Sequence, residues 1–203
     1  MNRLKKTYPL LIGIILFILI FFILLIISLK HNDGNIVYDL DDPYIHMAIA
    51  KNFVQHGAWS INDTGFTSST SSPLWTFLLS GLYYIFGVDE TIPLGVNILF
   101  GIGIILLIWY ILNYYDIKPL YNLLFLVFSM FFIPLPFLTF SGMEHNMQVF
   151  FSIWFVFVAA KFLANGKSKS YDIILLVLGF LTTATRYEGL FLVFVVCLII
   201  FFY

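Results

Sequence analysis

Charge is scarce in this chain. Only 10% of its 203 residues are Asp, Glu, Lys or Arg, while 61% are hydrophobic. Soluble domains carry roughly a quarter charged residues, so a water-facing globule is excluded. Net charge is equally spare: at −1 it excludes nucleic acid as a partner and also a polybasic membrane-surface protein. Cysteine is nearly absent. Cys197 stands alone inside an apolar run, which excludes a disulfide framework and leaves the redox compartment unmarked. Internal repeats, low-complexity tracts and linkers are missing too, so nothing argues for a second domain.

Long apolar runs take their place. A spanning helix needs roughly 20 apolar residues, because each rises about 1.5 Å through a hydrocarbon core of about 30 Å. The N-terminus reads Met-Asn-Arg-Leu-Lys-Lys and is followed by an apolar run over about 9–29. Signal peptides have shorter apolar cores and small residues at a cleavage site, so this run reads as an uncleaved span with Arg3, Lys5 and Lys6 in the cytoplasm. Further apolar segments lie at about 74–88, 93–112, 120–138, 147–160, 171–185 and 189–203.

Positive charge returns in one cluster, Lys161, Lys167 and Lys169. If that cluster is cytoplasmic like the N-terminus, an even number of crossings separates the two. Five apolar segments lie between them, so one does not cross. Segment 74–88 is the best candidate: it is short, it carries Trp75, Tyr83 and Tyr84, aromatics with polar edges that favour the bilayer–water interface, and it contains Gly81 and Gly87. The expected fold is therefore an all-α polytopic membrane protein, one transmembrane domain over 1–203. Its large extracytoplasmic loop, 30–92, carries interfacial helices at about 43–56 and 74–88.

Within that loop, Asp42 suits a helix cap, Pro43 the first helical position and Gly57 the stop. Ile45, Ile49 and Phe53 recur every fourth residue, which predicts an amphipathic helix resting on the membrane by that face. The stretch 62–73 is rich in hydroxyls and glycine and is expected to be irregular. Its Asn62-Asp63-Thr64 triplet is formally a glycosylation acceptor, a pattern common by chance.

Three polar clusters can carry chemistry, and the crossing count assigns all three to the external side. Asp39, Asp41 and Asp42 suit a divalent cation or a general base, or form a solvated acidic loop with a helix cap. Ser141-Gly142-Met143-Glu144-His145-Asn146 offers a Glu–His pair for a metal or a sugar, or is a polar turn. Thr185-Arg186-Tyr187-Glu188-Gly189 splits a long apolar run. Ionisable groups at membrane depth cost about 2.5–3.5 kcal/mol each on insertion scales, so they face a cavity or one another. Arg186 either pairs with Glu188 structurally or binds a phosphate.

Together these residues resemble the GT-C glycosyltransferases, nearest the bacterial branch of arabinofuranosyltransferase-like, lipid-linked-sugar enzymes. Asp41-Asp42-Pro43-Tyr44-Ile45, Ala50-Lys51-Asn52 and Gly57 resemble that branch's first external loop, and Ser71-Ser72-Pro73-Leu74-Trp75 the stretch that closes it. Ser141-Gly142-Met143-Glu144 is similar to its Gly-Leu-Glu element, and Thr185-Arg186-Tyr187-Glu188-Gly189 to its Arg-Pro-Glu-Gly element. Ser-Ser-Pro stands where protein mannosyltransferases and aminoarabinose transferases have Lys-Pro-Pro, which argues against those branches.

The resemblance implies a GT-C-like helical bundle and inverting transfer of a sugar from a polyprenyl-phosphate donor to an extracytoplasmic glycan, lipid or protein acceptor. Asp41 is then the general base or metal-site acid with Asp42 beside it, and Glu144 the second acid. Arg186 is the phosphate ligand, and Glu188 and His145 complete the substrate site. A divalent Mg or Mn ion, held by Asp41 and Glu144, is the implied cofactor. Location in a bacterial plasma membrane follows. The apolar ending at Phe201-Phe202-Tyr203 reads as the N-terminal portion of a longer enzyme. The competing expectation is a catalytically inactive module that binds lipid-linked sugar or a partner membrane protein. A transporter ranks below both, since its ionisable groups would sit nearer the midplane.

Overall fold

The computed structural model describes the backbone of residues 3–63, 65–166 and 168–203, and side chains from Thr7 onward. Thr64, Lys167, the first two residues and the side chains of Arg3, Lys5 and Lys6 lie outside that description. The described residues form helices and no strands: α1 (Arg3–His31), α2 (Asp42–His56), α3 (Pro73–Phe86), α4 (Ile92–Tyr114), α5 (Pro119–Phe132), α6 (Leu135–Phe140), α7 (His145–Asn165), α8 (Lys169–Thr185) and α9 (Gly189–Phe202). Three are long and apolar enough to cross a membrane, over Thr7–His31, Ile92–Tyr114 and His145–Asn165. A helix satisfies its own backbone hydrogen bonds, which is what a bilayer demands of a spanning segment. This is the build of a membrane protein.

The chain divides into two compact units. The first comprises Met1–Asp39 and Pro93–Asn146. In it α1 packs on α5 and α6. Phe17 is wholly buried, with its ring against Gly101 of α4, where an added Cβ would come within 2.6 Å of the ring. Phe21 stacks on Phe140 of α6 at 5.0 Å between centroids. The opposite face of α1, with Leu11, Ile15, Leu19 and Ile26, is exposed, as a lipid-facing surface must be. The apolar stretch 120–138 is two helices and not one continuous span. Pro134 and Pro136 lack the N–H a continuing helix needs, and α5 stops at Phe132.

The second unit comprises Leu40–Ile92 and Met147–Tyr203. Here α2 packs on α3, α3 on α8, and α8 on α9. Phe155, Val158, Ala159, Leu178 and Val196 form the core shared by α7, α8 and α9. The expectation that Asp42 caps α2 is corrected. Helix α2 begins at Asp42, and Asp41 holds the capping position without a side-chain cap bond. Gly57 ends the helix as expected. At φ +67° its N–H donates to the Phe53 carbonyl, the 5→1 bond of an αL cap, and the Ala58 N–H donates to the Asn52 carbonyl.

The packing of α2 also differs from the apolar stripe of the sequence. Its buried residues are Pro43, His46, Met47, Ile49 and Ala50, while Phe53 is exposed and packs edge-on against Trp59. The partner of α2 in this unit is α3. Helix α3 likewise buries Trp75 and Tyr83, so of its three interface-type aromatics only Tyr84 remains exposed.

Candidate functional site

In the second unit, the acidic start of α2 and the break between α8 and α9 share one neighbourhood. Asp41 and Asp42 are exposed at the first turn of α2. One turn on, His46 is buried, and three influences act on its ring. Burial pushes its pKa down to about 4, the Asp42 carboxylate pulls it up, and the Arg186 guanidinium pushes it down again. Asp42 and Arg186 thus act electrostatically on the same histidine, with opposite effect.

Around His46 lies a network of hydroxyls. Its Nδ1 is 2.9 Å from Thr76 Oγ1 and 3.0 Å from Thr70 Oγ1, and the two hydroxyls are 2.8 Å apart. Thr76 Oγ1 donates to the Ser72 carbonyl, and the Ser72 N–H donates to Thr70 Oγ1. The hydroxyl-rich stretch is therefore ordered near its end, where it turns into α3. Nearer its beginning, Asn52 of α2 donates to the carbonyls of Ser60 and Ile61 at 3.0 and 2.7 Å.

Arg186 is extended at the end of α8, and its guanidinium meets Glu188 twice, Nη2 to Oε1 at 2.8 Å and Nε to Oε2 at 3.3 Å. The pair that sequence left open between structure and ligand binding is formed, on a side chain of 24% exposure for Arg186 and 64% for Glu188. Gly189 follows because a Cβ there would run into the Thr182 carbonyl as α9 turns back on α8.

The first unit holds the other cluster. Glu144 is buried in the residue before α7, where the free N–H groups of a helix start favour an anionic side chain. Its turn is pinned to α4. Asn97 Nδ2 donates to the Met143 carbonyl at 2.9 Å, and Asn146 Nδ2 donates back to the Asn97 carbonyl at 3.1 Å and to Thr139 Oγ1 at 3.0 Å. Ser141 Oγ donates to the Leu138 carbonyl and accepts from the Met143 N–H. His145 begins α7, and Asp39 is exposed in this same unit.

Among the candidates, then, Asp41, Asp42, Arg186 and Glu188 belong to one unit and Glu144 and His145 to the other. Among the described residues no three His, Cys, Asp or Glu side chains gather into a metal-ligand set. Sequence reasoning missed His46, Thr70 and Thr76 in one unit and Asn97 and Thr139 in the other. Asn97 had a signal, an amide in the middle of an apolar span, where polar groups are costly unless bonded. His46 had none, because it sat off the apolar stripe. No protein-family model, curated protein or solved structure matches the chain.

Proposed function

We propose that the chain is a membrane glycosyltransferase, or the N-terminal part of one, that moves a sugar from a polyprenyl-phosphate donor to an extracytoplasmic acceptor with inversion. The observation that supports this reading is that an acid, Asp42, and a cation, Arg186, both act on buried His46 in the unit where apolar helices end. Sugar transfer from a lipid phosphate needs both. The acceptor hydroxyl attacks the anomeric carbon while a carboxylate, Asp41, takes its proton. The bond from that carbon to the phosphate oxygen breaks, and the charge left on the polyprenyl phosphate is held by Arg186. Asp42 is the accompanying acid, with Glu188 toward the sugar. The multi-pass chain lies in a bacterial plasma membrane, N-terminus in the cytoplasm, where a donor with a polyprenyl tail is within reach.

The test is transfer by membranes containing the intact protein, with undecaprenyl phosphate charged with radiolabelled arabinose, mannose or glucose as donor. Asp41→Asn is expected to abolish product without lowering the amount of protein in the membrane. Full transfer by that variant would sink the assignment.

A second reading has one observation in its favour. The fork of Arg186 is already met twice by Glu188, as a structural ion pair would be. On that reading the chain is a catalytically inactive module that binds lipid-linked sugar or a partner membrane protein. Retention of the labelled donor with no turnover distinguishes it.

A further inference from the structure

The hydroxyl network around His46 determines where its ring proton sits. Four side-chain contacts at hydrogen-bond distance need protons: Nδ1 to Thr76, Nδ1 to Thr70, Thr70 to Thr76, and Thr76 to the Ser72 carbonyl. Each threonine hydroxyl supplies one proton. If the ring carried its proton on Nε2, those two protons would have to serve four contacts, and two pairs of lone pairs would face each other in a buried site. With the proton on Nδ1 there are three. Nδ1–H then donates to Thr76, with Thr70 as the second acceptor of a three-centre bond. Thr70 donates to Thr76, Thr76 donates to Ser72, and every contact has a role. Thr70 Oγ1 keeps its remaining lone pair for the Ser72 N–H.

We propose that His46 is held as the neutral Nδ1–H tautomer and acts as a positioning residue. Its ring seats the acidic start of α2 on the Thr70–Thr76 turn that leads into α3. The role in positioning Asp41 and Asp42 rests on the glycosyltransferase reading, whereas the tautomer does not. The geometry is local to one unit. His46 lies one helical turn from Asp42, so a ring that loses its hold on Thr76 lets the first turn of α2 shift. The charged groups that act on the ring are Asp42 from its own helix and Arg186 from beyond α8, while α3 contributes Thr76 and contains no charged residue. A buried imidazolium would satisfy the same contact count, but it would put a cation in a desolvated site beside Arg186.

The chain has four histidines, His31, His46, His56 and His145, so ring nitrogens can be resolved by NMR of the ¹⁵N-histidine-labelled protein in lipid nanodiscs, with His46 assigned by its loss in His46→Asn. The expected spectrum has one ring with a protonated Nδ1 and a bare Nε2, unchanged from about pH 8 to about pH 5.5 while ordinary histidines titrate. A proton on Nε2, or protonation of this ring within that range, overturns the proposal.

The paired variants test positioning. An Asn amide nitrogen falls near the place of Nδ1, and a Gln amide nitrogen near that of Nε2. His46→Asn is expected to keep the α2 amides protected from hydrogen exchange and to retain at least about tenfold more transfer of the labelled sugar than His46→Gln, since a small misplacement at a reacting site is costly. Equal loss in both variants overturns the positioning role. A wild-type protein with the expected ring signature and no sugar transfer overturns the glycosyltransferase reading alone, and exchange protection of α2 in the two variants then decides the positioning claim.

Discussion

Gly142 lies with its Cα against the ring of Tyr38: a methyl group built there would come within 2.5 Å of the ring, at a backbone φ of +67°. Tyr38 is buried just ahead of Asp39, and Gly142 is two residues ahead of Glu144. The end of the α1 connection and the turn before α7 are thus in direct contact, and only glycine satisfies both the left-handed backbone and the close approach.

Gly142→Ala is therefore expected to destabilise the first unit by about 1–3 kcal/mol, from the backbone conformation and the overlap together. Thermal unfolding in detergent reads the loss. Shortening the neighbour in a Gly142→Ala, Tyr38→Leu double variant should restore only part of it, because the φ cost remains. An alanine variant as stable as the parent would contradict the packing.

Asn97 is the second point of attachment for that turn. Asn97→Leu removes the donor to the Met143 carbonyl and leaves that carbonyl to find another partner, at an expected cost of about 1–3 kcal/mol. The backbone carbonyl that receives Asn146 is untouched by the substitution, so the turn should loosen without unfolding. Faster hydrogen exchange at residues 142–146, with α1 unaffected, is the signature to look for. Exchange unchanged in this stretch would show that the bond contributes nothing.

The folded pKa of His46, about 4, lies below the ordinary value of 6.5, so the unfolded chain binds this proton more readily than the folded one. Stability from the neutral buried ring is therefore complete above about pH 6.5. It falls as pH drops from there toward 4, by as much as about 3 kcal/mol at the bottom of that window. The loss should be local to α2 and α3. Melting of the parent protein between pH 7 and pH 4.5, compared with His46→Asn, isolates it: parallel curves would refute the assignment.

The Arg186–Glu188 pair separates structure from function. Glu188 is mostly exposed, so the pair is worth no more than about 1 kcal/mol to the fold. Arg186→Gln is expected to melt within about that margin of the parent while losing sugar transfer about a hundredfold or more, if the guanidinium holds the leaving phosphate. Arg186→Lys should recover part of the charge effect but not the forked geometry. A large drop in melting temperature with transfer intact would make the pair structural.

Much of the local structure was legible from the residues. Pro43 and Gly57 bracket α2, because a missing N–H group and left-handed backbone act within one turn of the chain. The buried face of α2 was not legible. Ile45, Ile49 and Phe53 make the more regular stripe, but of these only Ile49 is buried, together with His46, Met47 and Ala50 off the stripe. Histidine can be buried here because Thr70 and Thr76, 24 and 30 residues along the chain, meet its ring. A periodicity argument sees only the helix it is applied to.

The break at Pro134 was available in the sequence and was outweighed there by the apolar run around it. Asn97 was an amide in a span with no visible partner, since Met143 and Asn146 are more than forty residues away. What the sequence determined by itself is the medium and the local punctuation: too few charges for water, runs long enough for lipid, and helix ends fixed by proline and glycine. What only the tertiary structure decided is which polar side chains go inside and where each one is satisfied. Burial of a polar group depends on a hydrogen-bond partner, and for His46, Asn97 and Asn146 those partners come from distant parts of the chain.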